Sequence, residues 1–265
     1  MKTGRVVFIG AGPGAADLIT LRGAERLGTA QVVLHDALTD PALRRFAPHA
    51  RWIDVGKRGF ADSTGQATIN ALLVKHAREA AIVVRLKGGD PSIFGRLEEE
   101  LLALDEAGIA CEIIPGVTAA VAAAAASQRP LTRRGNGRSV SLVTAVAARR
   151  RSDQTPAAAV HAAGSPDTEV YYMAGKQLAA LSRRLIDAGW PGATPACVGS
   201  RAGWPDALFS DHSVATLGHA SLLHAGRPTV VTVGAGASAV SIRALAEPAA
   251  AGTPRTRSAS ENPAR

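Results

Sequence analysis

Cysteine, aromatic residues and long apolar runs are all scarce in this sequence, and each scarcity removes a class of protein. Only two cysteines occur in 265 residues, Cys111 and Cys197, far apart and with no CxxC pair. That excludes a disulfide-stapled scaffold and a cysteine-based zinc site, and it fits a reducing compartment. The seven histidines are scattered, with no HExxH and no pair at helical metal-binding spacing, so no metal is expected. Aromatic residues make up 4% of the chain. With no recognisable nucleic-acid module, this argues against a nucleic-acid partner despite a formal net charge of +8. The alanine-rich run at 118–126 is too short to span a bilayer and reads as a buried helix, so no membrane partner is expected. Residues 1–5 run straight into a strand without a signal-peptide apolar region, and the expectation is a cytoplasmic protein.

What is present is a hydrophobic content of 46% with 27 glycines as punctuation, which describes a globular protein of one large or two modest domains. Short β-branched or apolar runs at 6–9, 32–34, 52–55, 82–84 and 111–114 alternate with helical patterns, the pattern of a mainly parallel α/β sheet. The helix after the first strand is expected to turn Leu18, Leu21 and Leu27 inward. Ser63 or Thr64 should cap the helix that runs to about His76, with Gln66 near the reciprocal position. A second series begins at 139–144 and continues through 169–173, 196–198 and 229–233, with strands of polar alternation at 208–217. Residues 145–167 read as a long connection, and 248–265 as a disordered tail carrying Arg255, Arg257 and Arg265. The expected division is an N-terminal α/β domain at 1–115 and a C-terminal α/β domain at 116–247. Their junction at about 115–138 would form a ligand cleft.

The most informative stretch is VVRLKGGDPSIFGR at 83–96. A buried strand stops at Gly88-Gly89-Asp90-Pro91, where two glycines let backbone or ligand approach and Pro91 holds Asp90 extended. Arg85, Lys87 and Arg96 surround this loop with cations. A tight strand-to-helix turn with solvated charges would use the same residues. Earlier, Gly10-x-Gly12-x-x-Ala15 follows a strand and Asp36 ends the next one, a pattern shared with NAD-binding oxidoreductases. Pro13 removes a donor from that phosphate loop, and a plain glycine turn with an exposed Asp36 explains the pattern as well.

Taken together, the motifs carry a resemblance. GAGPG at 10–14, HDAL at 35–38, GKRG at 56–59, S-x-x-Q-x-x-I-N at 63–70, the stretch at 83–96, AGI at 107–109, PGVTAA at 115–120, PLTRR at 130–134 and YYMAG at 171–175 occur in order. Over roughly 5–245 the chain resembles the tetrapyrrole (corrin and porphyrin) methylases, and among them the branch acting on uroporphyrinogen III. The resemblance implies two α/β domains, distinct from the Rossmann-type methyltransferases, with cofactor and substrate in the cleft between them. It also implies a homodimer. The implied reaction methylates C2 and C7 of uroporphyrinogen III with S-adenosylmethionine, giving precorrin-2 for sirohaem or cobalamin synthesis. Another precorrin methylase is the alternative within the family.

Carried over motif by motif, the cofactor-binding positions are Pro13, Gly88, Gly89, Asp90, Ile93, Thr118, Ala119, Met173 and Ala202. Asp90 is expected to face a cationic part of the cofactor. Asp36 falls on the family's proton acceptor and Lys57 on its proton donor, a pairing suited to removing a proton from a methylated macrocycle. Arg96, Glu99 and Arg134 fall on substrate-binding positions, where guanidinium groups suit a macrocycle rimmed with carboxylates. Ser92, Leu97 and Arg133 depart from the usual family pattern, and all three lie on the expected substrate side.

Overall fold

The computed structural model describes residues 4–56, 65–146 and 166–240. Lys57, the capping candidates Ser63 and Thr64, most of the expected connection at 145–167 and the tail lie outside these residues.

The first half is built from β1 (Arg5–Gly10), α1 (Leu21–Leu27), β2 (Val32–His35), β3 (Arg51–Asp54), α2 (Gln66–Glu79), β4 (Ile82–Lys87), α3 (Leu97–Glu106) and β5 (Cys111–Ile114). Its five strands form one sheet in the order β3-β2-β4-β1-β5, and every pairing is parallel. Alternate residues serve opposite faces. Val7, Ile9, Val33, Val84 and Leu86 pack with Leu27 and Leu43 on one side. Val6, Phe8, Leu34 and Val83 pack with Ile69, Leu73 and Leu104 of α2 and α3 on the other. Coverage on both faces explains why these strands read as continuous apolar runs.

The second half contains α4 (Ala119–Ala126), β6 (Val140–Thr144), β7 (Thr168–Tyr172), α5 (Leu178–Asp187), β8 (Pro195–Ser200), β9 (Leu208–Ser213) and β10 (Thr229–Gly234). Its sheet has the order β6-β7-β10-β8-β9. Only β6–β7 is parallel; β10 runs antiparallel to both β7 and β8, and β8 antiparallel to β9. The mainly parallel sheet expected from the first series of strands is present in the first half; in the second, β10 inserts between two strands that run the same way and most pairings are antiparallel. One face packs Tyr171, Val198, Val231 and Val233 against Leu178, Leu181 and Leu185 of α5. The other packs Val170, Tyr172 and Val230 against Ala120, Ala122 and Ala123 of α4, where Ile93 and Val117 also arrive. The two halves meet on this alanine-lined face.

Two local expectations change. Leu21 is 78% exposed, because α1 begins there, capped by Thr20, whose Oγ1 accepts from Gly23 N at 3.1 Å; only Leu27 turns fully inward. The expected strands at 208–217 are one strand ending at Ser213. There Ser213 and Thr216 form a capping box that starts a 3-10 turn over Val214–Ser221.

Candidate active site

Three loops converge at the carboxyl ends of β1, β4 and β5, where parallel sheets bind ligands. Ala11 N donates to Lys87 O at 2.8 Å, and Gly89 N donates to Gly12 O at 2.7 Å. Asp90 ties the third loop in: its Oδ1 accepts from Ser92 N and its Oδ2 from Gly116 N, both at 2.8 Å. The contact is so close that a Cβ on Gly116 would lie 2.3 Å from Gly89 O and 2.7 Å from Gly10 Cα. Only glycine fits there.

Above these loops lies a cavity of about 390 Å³, a volume in the range of small-molecule sites. All nine expected cofactor positions, Pro13, Gly88, Gly89, Asp90, Ile93, Thr118, Ala119, Met173 and Ala202, line it. They come from both halves of the chain. The sequence reading did not single out Tyr172, Arg201 and Trp204 of the wall. Tyr172 Oη shares a 2.8 Å hydrogen bond with Thr118 Oγ1 and accepts from Ala120 N at 3.3 Å, and its ring stands 5.0 Å from that of Phe94. Burial raises its pKa above the ordinary phenol value. Tyr172 lies within the YYMAG motif, so a signal for it existed. For Trp204 there was none, since it lies outside every motif that carries the resemblance.

Trp204 belongs to a loop that closes the cavity from the second half. Ala15 N donates to Gly203 O at 2.7 Å, and a Cβ on Gly14 would lie 2.5 Å from Trp204 Cδ1. The Arg201 guanidinium stacks 4.4 Å from the indole centroid, and its Nε donates to Asp206 at 2.8 Å. Arg201 and Met173 both hold left-handed backbone, with φ of 52° and 57°. Such conformations in non-glycine residues concentrate at ligand sites.

Asp36 follows β2 and is not among the residues lining this cavity; it reaches the wall only through Gly88. Its Oδ1 accepts from Arg85 Nη2 at 2.6 Å and its Oδ2 from Gly88 N at 3.2 Å. Each oxygen of this carboxylate thus has one acceptor site taken and one left. Arg96 and Glu99 form a bidentate pair, 2.7 Å at each arm, about half exposed. The pairing raises the Arg96 pKa and lowers that of Glu99. Arg96 faces a neighbouring groove with Phe94, Leu97 and Leu101. Arg134 is exposed on the hairpin closed by Arg133 and Gly137 and lines neither space.

The two-sheet architecture with a cavity at its junction defines a class of α/β protein that binds a small molecule between its halves. The chain belongs to the tetrapyrrole (corrin/porphyrin) methylases: the model of that family matches residues 5–218. It is 44% identical over 193 residues to a uroporphyrinogen-III C-methyltransferase of Pseudomonas aeruginosa, covering 73% of this chain and 77% of that one. It is also 44% identical over 201 residues to siroheme synthase 1 of Klebsiella pneumoniae, of which it spans 42%. Among solved structures it is similar to uroporphyrin-III C-methyltransferase from Thermus thermophilus in complex with S-adenosylhomocysteine. That likeness has a TM-score of 0.73 and 32% identity, and covers 87% of this chain and 97% of the other.

Proposed function

We propose that this chain methylates uroporphyrinogen III at C2 and C7, using S-adenosylmethionine, to give precorrin-2 for sirohaem or cobalamin synthesis. The observation that carries the reading is the convergence of nine expected cofactor positions from both halves on one cavity, with the Asp36 carboxylate bonded to Gly88 of its wall. The donor set suits the cofactor. Gly88 and Gly89 let an adenosyl group approach the backbone closely, Ile93 and Ala119 give it apolar wall, and the Thr118–Tyr172 pair offers hydroxyls.

When bound, the cofactor supplies an electrophilic methyl group. The chain's own residues then orient the macrocycle and receive the proton that leaves it as the new C–CH3 bond forms and the S–CH3 bond breaks. Asp36 is assigned to accept that proton; each of its oxygens retains a lone pair beyond those used by Arg85 and Gly88. Lys57 is assigned to proton donation, and Arg96, Glu99 and Arg134 to the substrate carboxylates. Further proposals are a boundary between the halves near residues 115 and 116, assembly as a homodimer, and a cytoplasmic location. Among the described residues no helix is long and apolar enough to cross a membrane.

The test is an anaerobic incubation of purified protein with uroporphyrinogen III and methyl-labelled S-adenosylmethionine, read by product mass. Addition of two methyl groups is expected. No transfer while S-adenosylhomocysteine still binds would overturn the choice of substrate and leave the cofactor assignment standing.

A further inference from the structure

Behind Asp36 lies a set of charges to which the methyl-transfer reading gives no task. Arg85 and Lys87 are two residues apart on β4, so their side chains leave the sheet on the same face. Helix α3 covers that face and brings Glu100 between them. Glu100 Oε1 accepts from Arg85 Nε at 2.9 Å, and Oε2 accepts from Lys87 Nζ at 2.6 Å. The other arms of the guanidinium are also occupied. Nη1 donates to the carbonyls of Leu86 at 3.2 Å and Leu34 at 3.5 Å, and Nη2 donates to Asp36 Oδ1 at 2.6 Å.

The signs alternate along Lys87, Glu100, Arg85 and Asp36, and the four charges sum to zero. Exposure rises only at the last. The side chains of Lys87 and Arg85 are 3% exposed and that of Glu100 0%, whereas Asp36 is 32% exposed. Burying three charges to hold one fold is a poor route to stability, since packed apolar groups of the same size serve as well or better. Geometry is what such a chain supplies. Arg85 is a planar fork; with Nε fixed by Glu100 and Nη1 by two carbonyls, the direction of Nη2 is set. Gly88 N holds the other oxygen of Asp36, so the carboxylate is gripped from two sides, one of them the cavity-lining Gly88.

We propose that Glu100 is a positioning residue: acting through Arg85, it fixes the Asp36 carboxylate in the orientation needed to accept the substrate proton, while Lys87 balances its second oxygen. The inference rests on the reading of Asp36 as the proton acceptor. Burial opposes the charge on both cations. In Arg85, Asp36 and Glu100 outweigh it and raise the pKa; in Lys87, burial and then repulsion from Arg85 leave the pKa lowered. The firmly held cation is the one that touches Asp36.

A double-mutant cycle tests the inference, because residues that act through one another do not add. Glu100→Gln and Arg85→Lys would each be measured alone and combined with Asp36→Asn, following kcat, KM for uroporphyrinogen III, S-adenosylhomocysteine affinity and thermal unfolding. Each single variant is expected to lower kcat by roughly tenfold or more, with cofactor affinity within about twofold of wild type. Neither is expected to lower kcat further in the Asp36→Asn background. Arg85→Lys keeps a cation and carries the cycle if Glu100→Gln does not fold. Losses that multiply in the Asp36→Asn background overturn the positioning role alone. Wild-type turnover by Asp36→Asn overturns the proton-acceptor reading, and the positioning role with it.

Discussion

Asp90 presents a carboxylate whose two oxygens each take a backbone N–H, one from its own turn and one from the loop after β5. Its negative charge still faces the cavity, but its hydrogen bonds are committed to joining two loops. Asp90→Asn would set an amide NH2 against one of those N–H groups, leaving a donor unmatched at a cost of about 1–3 kcal/mol. The expected result is a lower unfolding free energy in urea, together with weaker S-adenosylhomocysteine binding by calorimetry. Unchanged affinity would remove Asp90 from the binding site. The residue was marked as a site candidate by the resemblance of the whole stretch 83–96, since GGDP alone reads equally as a plain turn; its tie to Gly116 was not legible, because that contact joins segments 26 residues apart. Trp204 is the opposite case. It lies where the motifs fall silent, and only the closure of its loop onto Gly14 brings it to the cavity. If its indole forms part of the cofactor wall, Trp204→Ala should weaken S-adenosylhomocysteine binding by about 0.5–1.5 kcal/mol, the value of a ring contact. An unaltered dissociation constant would sink that assignment.

Among the elements, α4 shows how much periodicity can say. Its run of seven alanines and one valine has no polar face, so burial was legible, but the partner was not. The partner is the second sheet: Ala120, Ala122 and Ala123 lie against Val170, Tyr172 and Val230, and small side chains let helix and sheet approach closely. That packing also sets the N-terminal end of α4, where Thr118 and Ala119 line the cavity. Ala123→Leu adds volume to a filled interface, with an expected destabilisation of about 1–3 kcal/mol. Because α4 carries part of the cavity wall, cofactor affinity should fall with it. A variant with wild-type unfolding and affinity would show that the interface is loose. The first sheet was read correctly from its alternating strands and helices. In the second the strands were legible but the place of β10 between β7 and β8 was not, because its residues, apolar and β-branched, suit either direction.

For the molecule as a whole, the net charge of +8 was legible. The response of the fold to acid was not legible, because it depends on histidines whose partners only tertiary structure supplies. His224 is completely buried, with Nδ1 2.9 Å from Ser200 Oγ and Nε2 2.8 Å from Ser210 Oγ. Ser210 Oγ also lies 2.8 Å from His212 Nε2, and Arg227 Nε donates to Ser200 Oγ at 3.0 Å. Burial lowers the pKa of both histidines; His212 and then Arg227 push His224 further down, while in His212 the attraction of Asp211 opposes burial and His219 adds to it. The native state therefore binds fewer protons than the unfolded chain once the pH drops below the ordinary histidine value of 6.5. The stability these groups contribute is complete above that value and is lost as the pH falls through their lowered native values. Carboxylates such as Asp211, lowered first of all by Arg129, act in the same direction but only below their ordinary value of 3.8. Unfolding free energy from urea titrations is thus expected to decline between pH 7.5 and 5, above the range in which Asp211 acts. His224→Gln, which cannot take up a proton there, should make that decline shallower even if the variant is less stable at pH 7.5. An equally steep decline in the variant would place the acid sensitivity elsewhere in the molecule.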